Sequence, residues 1–133
     1  MQDQTNIDII KEIFREFNAG NVPGVLKHFD QEIEWVRPGA PEIPFAGTFK
    51  GFQEVGRMFR LVNENIRVRS FDPGKLFSNE DSVVVLGTDT VDVIPTGKTY
   101  TTDSVQVFKF RDKKIIHVQA YIDTLMIYKT FQP

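Results

Sequence analysis

Residues 82–94 (SVVVLGTDTVDVI), 98–111 (KTYTTDSVQVFKFR) and 114–122 (KIIHVQAYI) decide how this chain folds. Each is rich in Val, Ile, Thr or aromatic residues, and only Pro95-Thr96-Gly97 and Arg111-Asp112-Lys113 separate them. Connections that short join antiparallel neighbours, so the three segments form a meander. A fourth extended segment, 66–78, precedes them across the turn Ser78-Asn79-Glu80-Asp81. A strand of 13 residues such as 82–94 reaches ~40 Å. Twice the radius of gyration of a domain this size is only ~28 Å. The sheet must therefore coil around something, and Asp72-Pro73-Gly74 supplies a bulge at which it can bend.

The filling lies upstream. Between 5 and 19, Ile10, Ile13, Phe14 and Phe17 follow the i, i+3, i+4, i+7 spacing of one helix face. Thr5 or Asn6 can cap this helix, Asp8 suits the positive end of its dipole, and Gly20 stops it. A short second helix follows, capped by Asn21 with Pro23 in its first turn; Val25, Leu26 and Phe29 share a face, and it ends near Asp30. From Glu32 the period becomes two, which puts Ile33, Trp35 and Arg37 on one side of a first strand. Pro38, Gly39, Pro41, Pro44 and Gly47 then make an irregular loop, expected beside the mouth of a cavity. A third helix over 52–63 presents Phe52, Val55, Phe59 and Val62. A last helix, Thr124–Phe131, follows Asp123, whose carboxylate can cap it. The reading is α+β: a cone-shaped, curled antiparallel sheet wrapped around three N-terminal helices, in one domain over residues 1–133.

Composition excludes several functions. With 18 acidic and 16 basic side chains the formal charge is −2, which argues against nucleic acid and anionic lipid as partners. Apolar runs such as Val83–Leu86 fall far short of the ~20 residues a membrane helix needs, so a soluble, cytoplasmic protein is expected. The absence of Cys removes disulfides, thiolate metal sites and Cys nucleophiles, and His28 and His117 are too far apart in sequence to form a local metal motif. No metal and no cofactor is therefore expected.

The order helix, helix, strand, Pro-rich loop, helix and curled meander resembles the nuclear transport factor 2-like superfamily, in its SnoaL-like and ketosteroid isomerase-like branch. That fold is a cystatin-like α+β barrel. Phe17-Asn18-Ala19-Gly20-Asn21 looks like its first helix and turn, and Trp35-Val36-Arg37-Pro38-Gly39 like its first strand. Phe45-Ala46-Gly47-Thr48-Phe49-Lys50-Gly51 resembles the entry to its third helix, while Pro95-Thr96-Gly97-Lys98 and Tyr121-Ile122-Asp123 resemble a hairpin and the last strand.

The resemblance also tests the chemistries of that superfamily. A ketosteroid isomerase needs a carboxylate base, a Tyr and a protonated acid. At the matching positions this chain has Arg37, Ile13 and Gln106, and an arginine cannot take a proton at neutral pH. Limonene epoxide hydrolase uses two carboxylates and an Arg; Asp92 matches one acid, whereas Thr90 and Ala120 replace the other two groups. The Trp and His of SnoaL-like cyclases become Ser104 and Gln106. The resemblance further implies that even-numbered residues face the pocket: Leu86, Thr88, Thr90 and Asp92, then Thr102, Ser104, Gln106 and Phe108, then Val118, Ala120 and Ile122. Odd-numbered Val91, Val105, Val107, Gln119 and Tyr121 would form an apolar outer face for a homodimer.

The expected site is thus a cavity between the first and third helices and the concave sheet. Phe14, Phe17, Trp35, Phe59 and Phe108 wall it, with Thr90, Ser104, Gln106 and Ala120 among its ligand-binding positions. Arg37 and Asp92 are its candidate catalytic groups. Asp92 is weighed against a solvated acid beside a turn, and Arg37 against a side chain that reaches out to water. The partner expected is a small apolar or aromatic ligand, anionic where Arg37 faces inward. An isomerase, cyclase or hydrolase using Asp92 as acid and base is the alternative.

Overall fold

The computed structural model describes residues 2–133, with side chains from Gln4 onward. Helix α1 (Gln2–Asn18) buries Ile10 and Ile13 and is followed by Gly20, whose φ of 73° favours glycine. In α2 (Val22–Leu26), the Asn21 side chain accepts from the Gly24 N–H at 3.1 Å, and Pro23 sits in the first turn. Phe29, expected on that helix, instead opens strand β1 (Phe29–Arg37) as a buried side chain. Strand β2 (Gly47–Lys50) was not evident from the sequence; it is only four residues long and pairs antiparallel with β1, setting Phe49 opposite Trp35. Helix α3 (Gly51–Asn65) begins where the Lys50 N–H donates to Glu54 at 2.7 Å, and it buries Val55, Met58, Phe59 and Val62.

Strands β3 (Ile66–Asn79), β4 (Ser82–Val93), β5 (Thr99–Arg111) and β6 (Lys114–Ile122) form the meander, and α4 (Thr124–Phe131) closes the chain. Asp123 caps α4, accepting from the Met126 N–H at 3.0 Å. The six strands lie in the order β2-β1-β6-β5-β4-β3, antiparallel except for β1 beside β6, and the curled sheet does not close. Strand β3 shifts register twice: between Asp72 and Lys75, where Pro73-Gly74 bends it, and between Val68 and Ser70, where Arg69 is the extra residue.

One expectation about the sheet is corrected. Val91 lies opposite Tyr100, Asp89 opposite Thr102 and Val83 opposite Phe108, so the odd residues of β4 share a face with the even residues of β5. The register is set by a loop closed by a hydrogen bond from the Val93 N–H to the Lys98 carbonyl at 2.7 Å. A one-residue shift of register moves every side chain of a strand to the other face. Leu86, Thr88, Thr90 and Asp92 therefore point outward, and Val83, Val85, Asp89, Val91 and Val93 point inward. Val91 consequently leaves the outer apolar set.

The interior has two parts. Ile10, Ile33, Trp35, Met58, Val85 and Phe108 belong to a cluster against α1 and α3. Ile43, Phe45, Val62, Val93, Tyr100 and Ile127 form another under the Pro-rich segment and α4. Burial of each such side chain stabilises by roughly 1.5–3 kcal/mol. The Phe45 ring packs edge-on against Phe131 at 5.8 Å, so the Pro-rich segment plugs this end of the cone rather than flanking an opening. Among the described residues no helix is long and apolar enough to cross a membrane.

Candidate functional site

Between the two clusters lies a cavity of about 360 Å³, within the range of small-molecule sites. Helix α1 contributes Phe14 and Phe17, β1 contributes Trp35 and Arg37, and α3 contributes Phe59 and Val62. The sheet adds Phe71, Asp89, Val91, Tyr100, Gln106 and Phe108. The rings meet mostly edge to face: Phe14 with Phe71 at 5.1 Å, Trp35 with Phe59 at 5.5 Å and Trp35 with Phe108 at 6.4 Å. Gly87 makes this wall possible, because a Cβ there would stand 2.7 Å from the Phe71 ring. The exposed lining residues are Phe17, Asn18, Val68, Arg69 and Ser70, so the mouth opens between the end of α1 and the first register shift of β3.

Seven of the expected positions come together here: Phe14, Phe17, Trp35, Arg37, Phe59, Gln106 and Phe108. Ala120 is buried on the same sheet face without lining the cavity, and buried Ser104 reaches it through Asp89. Thr90 and Asp92 do not join them. The Thr90 hydroxyl meets that of Thr101 at 3.0 Å on the outer face. Asp92 accepts from the Thr99 hydroxyl at 2.6 Å and from Arg69 Nε at 2.7 Å. Those hydrogen bonds, Thr99 first, hold its carboxyl below the usual range. It is a satisfied surface group with no route to the cavity.

The polar end of the cavity is built instead from Arg37, Asp89 and Tyr100. Alternation along β1 carries Arg37 inward from Trp35, and its guanidinium lies 4.9 Å above the Phe45 ring. The side chain is half-buried, and its buried Nε has no hydrogen-bond partner among the described residues. Burial lowers its pKa, while Tyr100 and Asp89 oppose that shift. Burial also pushes the Asp89 carboxyl up to about 6, against the pull of Arg37 and a hydrogen bond from Ser104. Tyr100 is raised to about 12, again chiefly by burial, so it stays protonated as a donor. Trp35 Nε1 and Asp89 Oδ1 are buried without partners as well. A fixed cation, a neutral donor and a carboxyl that exchanges its proton near neutrality can bind a polar oxygen and move a proton.

Asp89, Tyr100 and Phe71 are the site residues that the sequence reading passed over. The signal was present: along 88–93 the even residues Thr88, Thr90 and Asp92 are polar, whereas Val91 and Val93 are apolar. That alternation turns the odd residues toward the core, and Asp89 with them.

Comparison with known proteins agrees with this architecture. The SnoaL-like domain matches residues 10–118, and the chain belongs to that family. The crystal structure of an NTF2-like protein from Burkholderia xenovorans LB400 superposes with a TM-score of 0.90 at 28% identity, covering 98% of each chain. An NTF2-like protein of unknown function from Burkholderia pseudomallei gives 0.90 at 25% identity, covering 97% of this chain and 98% of its own. TerC, co-crystallised with polyporic acid, gives 0.84 at 25% identity over 97% of this chain and 99% of its own. No curated protein matches the chain.

Proposed function

We propose that this protein binds a small aromatic molecule with an acidic or anionic oxygen, held at the inner end of the cavity by Arg37. One observation carries the reading. Arg37 is half-buried among the cavity walls, its Nε is buried and unpaired, and it makes no ion pair among the described residues. A cation with a buried, unpaired N–H is costly unless a ligand completes it. The aromatic walls suit a flat partner, and the polyporic acid complex of TerC supports a small-molecule ligand in this fold. Titration of small aromatic acids against wild type and Arg37→Met tests it. Loss of one charge-assisted hydrogen bond predicts affinity about 10- to 100-fold weaker. Equal affinity in the two proteins would leave only an apolar cavity.

An enzymatic reading, of isomerase, cyclase or hydrolase type, is favoured by a carboxyl poised near pH 6 in the same cavity. Its acid and base would be Asp89, because Asp92 lies outside.

A homodimer through the outer sheet face belongs to the same proposal. Phe77, Leu86 and Tyr121 are exposed there by 53%, 37% and 57%, on strands that also present Val84, Val105 and Val107. An apolar face of that kind favours burial against a second copy. Light scattering at micromolar concentration should give twice the chain mass, and a monomer would remove the proposal.

A further inference from the structure

We propose that the cavity selects an ionisable hydroxyl, a phenol or an enol, over a carboxylate, and that Asp89 imposes the choice from opposite Arg37. This rests on the ligand-binding reading above and names its ligand class. Among the described residues, three that line this cavity each hold a buried side-chain polar atom without a hydrogen-bond partner: Trp35 Nε1, Arg37 Nε and Asp89 Oδ1. They are two donors and one acceptor.

Arg37 and Asp89 feel each other's charge but form no ion pair. Opposite charges sharing a buried space gain most by contact, so their separation needs a cause. Phe45 supplies it by holding the guanidinium face. The group that fits between them must accept from an N–H and donate to a carboxylate.

A hydroxyl does both. A carboxylate offers acceptors only and sets a second negative charge beside Asp89. An ether or ketone satisfies the donors and leaves Asp89 Oδ1 buried and unpaired, a condition by which sites built for a hydroxyl reject analogues that lack one. With a hydroxyl in place, its proton lies between the ligand oxygen and Asp89. If the hydroxyl ionises, that proton moves to Asp89 and the oxyanion faces Arg37, so the charge of the complex does not change.

Three charged or titratable groups face Asp89. They are Arg37 from β1, Tyr100 from β5 and, sharing the cavity lining at its mouth, Arg69 from β3, which is engaged by Asp92 on the outer face. The lining from α1 and α3 adds no titratable side chain.

The experiment measures affinities of 2-naphthol, 2-methoxynaphthalene and 2-naphthoate for wild type and Asp89→Asn, at about pH 7.5 and about pH 5, on either side of the Asp89 titration. Wild type should prefer 2-naphthol to both other probes by about tenfold or more at the higher pH. Its affinity for 2-naphthoate should rise about tenfold at the lower pH, as Asp89 becomes neutral. Asp89→Asn should bind 2-naphthoate well at both pH values, bind 2-naphthol more weakly, and show no pH dependence.

Wild type binding 2-naphthoate as tightly as 2-naphthol at the higher pH would overturn the proposal. So would a pH dependence that survives in Asp89→Asn. Should that variant not fold, the wild-type profile decides, and a flat response to 2-naphthoate sinks the idea. 2-Naphthol and 2-naphthoate binding alike, both more tightly than 2-methoxynaphthalene, would refute hydroxyl selection while leaving the ligand-binding reading intact. No probe binding at all would overturn both.

Discussion

Two Arg–Asp combinations lie on opposite faces of one strand, and they have opposite fates. On the outer face Arg69 and Asp92 touch at 2.7 Å, and Thr99 completes the carboxylate at 2.6 Å. On the inner face, three residues along, Asp89 shares a cavity with Arg37, and an atom of each is left unpaired. The carboxyl bonded at both oxygens is held low by its hydrogen bonds, whereas the one with an unpaired oxygen is raised to about 6 by burial. The chemical groups are the same, so position alone separates a surface tie from a pair left open inside a cavity. The neighbouring rungs follow suit, with Thr88 to Asp103 and Thr90 to Thr101 bonded on the outer face.

The sharpest way to break this comparison is to move the charge. Val91 is 2% exposed on the inner face, and Val91→Asp should destabilise by about 3–5 kcal/mol, since an unpaired charge would be buried. Denaturant unfolding measures it, and a loss below about 1 kcal/mol would mean that the two faces are assigned wrongly.

Asp89→Asn should act in the other direction. Its folded pKa of about 6 exceeds the unfolded value of ~3.9, so the protonated form is the one that folding favours. Stability is therefore fully present below about pH 4 and is lost as pH rises through about 6. The neutral amide avoids that loss. After allowance for partial exposure it should stabilise by about 1–2 kcal/mol at neutral pH, with the gain vanishing below about pH 4. Unfolding curves across that range check both sign and window.

Asp123→Ala, remote from both combinations, should cost about 1 kcal/mol through loss of the α4 cap and leave the cavity unchanged. Asp92→Asn should have the smallest effect: little change in melting temperature at neutral pH, greater at low salt than at high, and none on ligand affinity. A large effect on binding would return Asp92 to the site.

Much of this molecule was legible in its sequence, for reasons that separate the parts read correctly from the one that was not. The apolar faces of α1 and α3 and the long strands declare themselves because burial demands a period. Ile13, Phe59 and Phe108 could be placed inside on that ground. Asp123 was legible as a cap because its bond is local. The polar half of the site depended on the β4–β5 register, which a loop of one residue more or less reverses. The mixed run Val83-Val84-Val85-Leu86 carries no alternation to correct the error, and only the polar and apolar residues further along do so. Strand β2 was hidden by its shortness, and the burial of the Pro-rich segment depends on Phe131, far off in sequence.

The plug formed by Ile43, Phe45 and Phe131 leaves the cavity a single-ended vessel. Phe17 and Val68 stand at its mouth and Arg37 at its inner end, so the groups at the entrance are not those at the polar end. For a ligand of this cavity, association would depend on the mouth between the bulged edge strand β3 and the end of α1. Residence time would depend on the far end. Traffic and tenacity can thus be tuned in this fold by changes in separate segments of the chain.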